Sequence, residues 1–255
     1  MTSKSKTSNG KASKPDKLKR APGKPLYDQV GEIARKRLIN NYWKPGEILP
    51  SEFTLAAELS VSQGTVRKAL NHMVTENLLE RRQGKGTFVS EHTERRALFL
   101  YFNLKSKDGE QAMPFSRTLA CELRPATEIE RTKLKLEHGA GVVAMHRVRE
   151  LQGRPVIVER LTLPQELFPG LGSGLELPEN LYRFYQAEYG ITVAKASEQV
   201  SAVAAEALEA QFLGIMPETP LLEIDRVAVT IDSRPVEWRV SRCSTSHHTY
   251  VAERG

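Results

Sequence analysis

The chain has 255 residues, of which 40% are hydrophobic and 27% are charged, and a formal net charge of +6 at pH 7. This length suits one large domain or two modest ones, and the composition is ordinary for a soluble globular protein. No apolar run approaches the roughly 20 residues that span a bilayer, and no signal-peptide core is recognisable, so we expect a cytoplasmic protein without a membrane partner.

The excess positive charge lies at the N-terminal end. Residues 1–24 hold eight Lys and Arg and one Asp, a net charge of +7, whereas residues 93–255 hold 20 basic and 22 acidic residues. This asymmetry predicts a polyanionic partner for the N-terminal part of the chain. Because residues 1–24 are poor in apolar side chains, we expect a disordered tail, either merely solvated or touching DNA phosphate.

Three helices are predicted from residue 25 onwards. The first begins after Pro25 and places apolar residues on one face. A Pro-Gly turn then precedes Ser51, a candidate N-cap for the short second helix EFTLAAEL. Ser62 is the candidate cap of a third helix, in which Val66 and Leu70 belong to the buried face.

Two short strands follow the third helix, with the sequences LLERRQ and GTFVS. A Gly-Lys-Gly turn joins them as a tight hairpin, so the order of elements predicts a winged helix-turn-helix. The exposed start of the third helix carries small and polar residues before Arg67, which suits close approach to the major groove and contact with base edges. A capped surface helix that binds nothing is the alternative, and the basic hairpin and tail favour DNA.

Residues 25–89 resemble the DNA-binding domain of the GntR family of bacterial transcription regulators. The matching words are PLYDQV, GEILPSE, VSQGTVRKAL and ENLLERRQGKGTFV. The resemblance implies that DNA is contacted by the residues at the start of the third helix, by the arginine of TVR and by the tip of the wing. With Lys68 on the same exposed turns, the DNA-binding set is Ser62, Gln63, Gly64, Thr65, Arg67, Lys68, Gln83, Gly84 and Lys85.

Two positions depart from the family pattern. Gln63 stands where an arginine is common, and Phe53 stands where a basic residue often follows LPSE. Because arginine suits guanine and glutamine suits adenine, the operator base that the family reads at the first position does not carry over.

The second half of the chain contains a weak internal duplication. HRVRELQGRPVIVER, residues 146–160, echoes DRVAVTIDSRPVEWRV, residues 225–240. A predicted strand and a predicted helix precede each of these hairpins, so a β-α-β-β unit occurs twice. This predicts an α+β fold with one antiparallel sheet and helices packed against it.

This half resembles the UTRA effector-sensing domain of the HutC branch of GntR regulators, which has a fold similar to chorismate lyase. The supporting words, in this order, are RVRELQGRPVIVE, LTLPQELFPGL, NLYRFYQAEYGI and SRPVEW. We therefore expect a DNA-binding domain over residues 25–92, and a linker with an effector-binding and dimerisation domain over residues 93–255.

The candidate effector site begins with Arg147 and Arg149, which lie two apart on a predicted strand and so share a face. Two guanidinium groups on one face can bind a carboxylate or phosphate, and Glu159 on the returning strand can accept hydrogen bonds from hydroxyls or an amine. Surface ion pairs with neighbours such as Glu150 are the alternative. The resemblance adds, as effector-binding residues, Phe115, Ser116 and Arg117 in a ligand-facing loop, and Glu237.

No cofactor, metal or disulfide is expected. Cys121 and Cys243 lack the spacing of a zinc site, and His247 and His248 have no acidic or thiol ligand at metal spacing. No Ser/His/Asp pattern or Gly-rich phosphate loop is recognisable.

The sequence therefore predicts a homodimeric regulator that binds double-stranded operator DNA and responds to a small anionic effector, most often as a repressor in this family. One alternative is an enzyme with a chorismate-lyase-like site fused to a DNA-binding arm. The other is an architectural DNA-binding protein without an effector.

Overall fold

The computed structural model describes residue 18 and residues 23–93, 103–107, 114–172 and 177–252. Its N-terminal part is a winged helix-turn-helix, as predicted. The elements are α1 (Leu26–Ile39), α2 (Glu52–Leu59), α3 (Gln63–Thr75), β1 (Leu79–Arg82) and β2 (Gly86–Val89). Most of the tail predicted to be disordered lies outside the described residues, although Leu18 packs against the apolar side chains of Val30, Leu59 and Ala69.

We name the winged helix-turn-helix from α1 to β2 the reading head. Both predicted serine caps are present in it. The Ser51 hydroxyl accepts a hydrogen bond from the Thr54 N–H at 3.1 Å, and the Ser62 hydroxyl accepts one from the Thr65 N–H at 3.2 Å. These bonds satisfy amides that have no partner inside the helix, and they fix where α2 and α3 begin. At the tip of the wing, Gly84 has a φ of +70°, which glycine adopts without strain.

The C-terminal part is built around one antiparallel sheet. Its elements are β3 (Leu104–Ser106), β4 (Phe115–Pro125), α4 (Glu128–Leu134), β5 (Gly141–Leu151), β6 (Arg154–Pro164), a 3₁₀ turn (Gln165–Leu167), α5 (Leu181–Tyr189), β7 (Val193–Ala204), α6 (Ala207–Leu213), β8 (Pro220–Thr230), β9 (Pro235–Cys243) and β10 (His248–Tyr250). The strand order is β4-β5-β6-β9-β8-β7, while β3 and β10 form a separate pair. The two predicted β-α-β-β units are thus the two halves of the sheet, joined between β6 and β9, which confirms the α+β fold class.

Helices cover both faces of the sheet. On one face Val148 and Val158 pack against Leu213 of α6, and α4 lies on the same side. On the other face Met145 packs with Tyr185 of α5, and the β3–β10 pair covers the rest. The central strands are therefore buried on both sides. None of the helices in the described part of the chain is long and apolar enough to cross a membrane.

The described ends of the segment that joins the two parts are both held by the C-terminal domain. The backbone N–H of His92 donates to Gln186 of α5 at 3.1 Å, and its carbonyl accepts from Asn180 at 3.0 Å. At the other end, the Asn103 side chain donates to Glu198 of β7 at 3.3 Å and to Tyr250 at 3.1 Å. The described ends of the joining segment are thus attached to α5 and to β7.

Candidate DNA-binding surface and effector site

The predicted DNA-binding residues lie at the start of α3 and at the tip of the wing. Ser62, Gln63 and Gly64 are exposed, and Thr65 is half-buried, with its hydroxyl 2.8 Å from that of Ser62. The structure brings several members together along a groove of about 660 Å³ between α3 and the wing. These members are Gln63, Arg67, Gln83, Gly84 and Lys85.

Lys68 lies apart from this groove. Its ammonium nitrogen is 3.8 Å from the centre of the Tyr27 ring of α1, in a cation–π contact. The side chain is exposed, so it remains accessible to a phosphate beside α3.

An acidic residue that sequence reasoning missed orients the basic groups of the groove. One oxygen of Glu52 accepts from Arg67 Nε at 2.8 Å, and the other accepts from Arg81 at 2.9 Å. Arg81 also donates to Asn71 at 2.8 Å. Burial raises the pKa of Glu52, but the hydrogen bonds from the two arginines outweigh it and hold the pKa below the ordinary value. Glu52 therefore stays ionised and aims Arg67 along the groove.

The second candidate site is a group of seven charged residues on the sheet face beneath α5, which we name the charge cluster. It consists of Arg147 and Arg149 of β5, Glu159 of β6, Glu198 of β7, Arg226 of β8, and Glu237 and Arg239 of β9. Four arginines and three glutamates give it a formal charge of +1. The group is buried or nearly so, and charges in such surroundings are costly unless they are paired.

Glu159 occupies the centre of the charge cluster and is held only loosely. Its side chain is fully buried, and its Oε2 lies 3.5 Å from both Arg239 and Ser241 and 3.7 Å from Arg149. Its Oε1 lies 3.8 Å from Arg147 Nε, which is too far for a hydrogen bond. Burial raises the pKa of Glu159, but Arg239, Arg149 and Arg147 together lower it below the ordinary value, so the carboxylate is ionised.

Glu237, by contrast, is fully engaged. Its two oxygens accept from Tyr182 at 3.1 Å, from Tyr185 at 2.8 Å, and from Arg239 at 3.0 and 2.9 Å. Burial and the nearby carboxylate of Glu237 raise the pKa of Tyr185 well above its ordinary value, so its hydroxyl stays protonated as a donor. Glu237 therefore ties β9 to α5, and its predicted role as an effector ligand stays a prediction.

Several buried polar atoms in and beside the charge cluster have no hydrogen-bond partner among the described residues. They are Nε and Nη2 of Arg147, Oε1 of Glu159 and the hydroxyl of Ser116. Ser116 of β4 is directly opposite Arg149 in the sheet, and Arg147 is opposite Glu159. Buried polar groups in native proteins are almost always hydrogen-bonded, so these donors and this acceptor suit a ligand with an acid group and a hydrogen-bond donor.

Phe115 and Arg117 are not brought to the charge cluster. The loop predicted for these two residues and Ser116 is instead the start of strand β4, where neighbouring side chains point to opposite faces. Ser116 is buried towards Arg149, while Phe115 is 60% exposed. The alternative of surface ion pairs does not fit Arg147, because this side chain is 1% exposed and faces Glu159 rather than solvent.

Arg226, Arg239 and Glu198 also belong to the charge cluster but were not predicted from the sequence. For Arg226 and Arg239, the internal duplication could have indicated this. Aligning its two copies places Arg226 at the position of Arg147, and Arg239 at that of Glu159. In the sheet Arg226 is opposite Arg239, just as Arg147 is opposite Glu159. The two halves therefore contribute equivalent positions to one charge cluster.

Known proteins match the chain in both parts. The family "UTRA domain" matches residues 110–249, more than half of the chain, and "Bacterial regulatory proteins, gntR family" matches residues 26–89. The mannosyl-D-glycerate transport/metabolism system repressor MngR of Escherichia coli K12 is 27% identical over 234 residues, which cover 91% of this chain and 97% of that protein. The HTH-type transcriptional repressor NagR of Bacillus subtilis is 29% identical over 228 residues, covering 89% and 93%.

Solved structures give the same result. The ligand-binding domain of a GntR-family transcriptional regulator from Bordetella bronchiseptica is 31% identical, with a TM-score of 0.56 over 62% of this chain and 98% of that one. PhnF from Mycobacterium smegmatis, at 24% identity, shares the fold with a TM-score of 0.53 over 89% of this chain and 99% of that one.

Proposed function

Since the chain belongs to the GntR family of bacterial regulatory proteins and carries a UTRA domain, we propose that it is a repressor whose operator binding is modulated by a small anionic effector. Its relatives MngR and NagR are repressors of transcription, so the chain is a DNA-binding regulator, and the alternative of an enzyme is wrong. The observation that carries the effector proposal is the buried, cationic charge cluster, in which donors beside Glu159 have no hydrogen-bond partner among the described residues.

The start of α3 docks in the major groove, and the wing lies on the adjacent backbone. Gln63 and Arg67 face the same groove as Lys85, and their exposure and charge support this docking. Ser62 and Gly64 allow close approach, while Thr65, Lys68, Gln83 and Gly84 complete the contacting surface. One winged helix contacts only a few base pairs, so two copies in a homodimer supply the specificity of a full operator. This assigns the protein to the cytoplasm, where that DNA is found.

The effector carries a carboxylate or phosphate together with a hydroxyl or amine. Its acid group accepts hydrogen bonds from Arg147 and Ser116, and its hydroxyl or amine donates a hydrogen bond to Oε1 of Glu159. The formal charge of +1 on the charge cluster favours one negative charge. The name of MngR refers to mannosyl-D-glycerate, a carboxylate with many hydroxyls, which supports this class of effector.

Two connections carry the effector signal to the reading head. In the first, Glu237 holds the tyrosines of α5, and the same helix holds His92 at the start of the linker. In the second, Glu198 holds Asn103 at the end of the linker and also binds Arg226 of the charge cluster. An effector that bridges Arg147 and Glu159 changes the electrostatic potential at Glu237 and Glu198, the residues of the two connections. It thereby favours one arrangement of the linker.

A thermal-shift screen of sugar phosphates, sugar acids and amino acids with the full-length protein tests this function. At a concentration 100 times its Kd, an effector adds about 2.7 kcal/mol of stability, which raises the Tm by about 5–10 °C. Each compound that raises the Tm is then added to a complex of the protein with duplex DNA selected from a random library. We expect the same compound to change DNA affinity in the wild type and to change neither the Tm nor DNA affinity in Arg147→Met. A compound that raises the Tm equally in the variant would contradict the assigned site, and a protein that binds selected DNA but responds to no compound would support the architectural alternative.

A further inference from the structure

Phe53 is an aromatic side chain that the fold leaves in solvent. It lies in the first turn of α2 and is 73% exposed, which among the large apolar side chains of the described chain is surpassed only by Met216 at 78%. Phenylalanine is usually buried, and a large exposed ring is informative when its surroundings suit a partner.

The surroundings of Phe53 are those of the DNA-reading groove. Phe53 and the half-exposed Ile48 line it together with Gln63 and Arg67 of α3 and the basic residues of the wing. The charged side chains of this lining are Arg67, Arg81, Arg82 and Lys85 against Glu52, a formal sum of +3. A small apolar patch therefore lies within a cationic groove, next to the start of α3.

We propose that Phe53 is a specificity-determining residue that contacts the 5-methyl group of a thymine in the operator. The charge of the groove selects a polyanion, and the major groove of DNA offers one kind of apolar group, the thymine methyl, beside its hydrogen-bonding edges. The apolar ring of Phe53, which lines the same groove as Gln63, can contact the thymine methyl, a group that the other three bases lack. The inference rests on the proposed docking of α3 in the major groove.

The test begins with selection of duplexes from a library with a randomised core by the full-length protein and its variants Phe53→Ala, Phe53→Leu and Gln63→Ala. Met216→Ala is the matched control, since it removes an equally exposed apolar side chain from the C-terminal domain. We expect wild type and Met216→Ala to select the same site, with a thymine at a position that Gln63→Ala leaves unchanged. Phe53→Ala should lose the preference at that thymine alone, and Phe53→Leu should retain it.

Deoxyuridine then isolates the methyl group. In the duplex selected by the wild type, replacing the thymine by deoxyuridine removes only the methyl, and wild-type affinity should fall about fourfold per half-site. Phe53→Ala should bind the two duplexes equally, with a Tm unchanged from wild type because the ring makes few contacts within the protein.

Three results would overturn the inference. If Phe53→Ala selects the same bases as the wild type, the ring reads no base. If Phe53→Ala responds to deoxyuridine as the wild type does, another residue contacts the methyl. If it changes the oligomeric state instead, the ring is a contact between copies. The docking of α3 itself fails only if Gln63→Ala also leaves the selected site unchanged, so the two ideas are tested separately.

Discussion

Replacing Arg147 and Arg239 separately by methionine should affect the stability of the protein very differently, with little change or a gain for Arg147→Met and a clear loss for Arg239→Met. Methionine is long and apolar, so it fills most of the space of the arginine without the charge. In the folded protein Arg239 makes two hydrogen bonds to Glu237 and one to Glu159. Arg147 lies 3.8 Å from Glu159 and has no hydrogen-bond partner for Nε or Nη2 among the described residues.

For Arg147→Met the opposing contributions nearly cancel. Each buried donor without a partner costs about 1–3 kcal/mol, and the variant removes two of them. It also removes an attraction to Glu159 of about 4 kcal/mol at an effective dielectric constant of 20, but the repulsion from Arg149 and Arg239 disappears with it. That repulsion is visible at Arg149, whose pKa is lowered to about 10 by burial and by the neighbouring arginines despite the attraction of Glu159. We expect the free energy of unfolding to stay unchanged or to rise by up to about 2 kcal/mol.

For Arg239→Met the expected change is a loss of about 3–5 kcal/mol, because removing one partner of a buried pair leaves Glu237 and Glu159 short of positive charge. Urea unfolding of both variants, without any added anion, measures the two values under the same conditions. A loss for Arg147→Met as large as that for Arg239→Met would refute the reasoning, since Arg147 would then be a structural partner of Glu159 rather than a group kept for a ligand.

Three further variants test other parts of the molecule. Glu52→Gln releases Arg67 and adds one positive charge to the groove, so binding to random DNA should strengthen and the slope of log affinity against log salt should steepen by up to about one; equal slopes in anisotropy titrations would contradict this. Glu130 has a pKa of about 2 in the folded protein against an ordinary value of 4.5, since hydrogen bonds from Arg124 and Thr127 outweigh burial, and about 3 kcal/mol of stability follows. Because the folded pKa is depressed, this stability is present above about pH 4.5 and is lost as the pH falls towards 2. Urea unfolding should therefore show a difference in the free energy of unfolding between wild type and Glu130→Gln that is full at pH 7 and narrows below pH 4.5. A difference that stays constant with pH would be evidence against the ion pair. Tyr182→Phe removes one hydrogen bond that ties α5 to the charge cluster and should lower the free energy of unfolding by about 1 kcal/mol. The effector found by screening should still bind to this variant but should change its DNA affinity less. An effector-induced change in DNA affinity as large as that of the wild type would exclude this connection.

The reading head was predictable from the sequence because its signals are local. A serine before a helix, a Pro-Gly turn and a Gly-Lys-Gly hairpin each act within a few residues, and Ser51 and Ser62 cap their helices where the pattern indicates. The repeated β-α-β-β order likewise predicted the antiparallel sheet, since each hairpin forms from neighbouring segments. The DNA-binding residues themselves remain a prediction.

The effector site depended on tertiary structure. Arg147 and Arg149 share a face by strand alternation alone, but β5 is covered on both sides, so the sequence pattern does not tell which face holds a site. Only the pairing of strands from both halves of the chain brings Arg239 to Glu159. Only the packing of α5 brings two tyrosine hydroxyls to Glu237, while Nε and Nη2 of Arg147 find no hydrogen-bond partner in the part of the chain that the structure describes. Local sequence therefore determined the elements and their order, whereas contacts between residues distant in the chain decided which buried charges of the described residues have their hydrogen bonds filled.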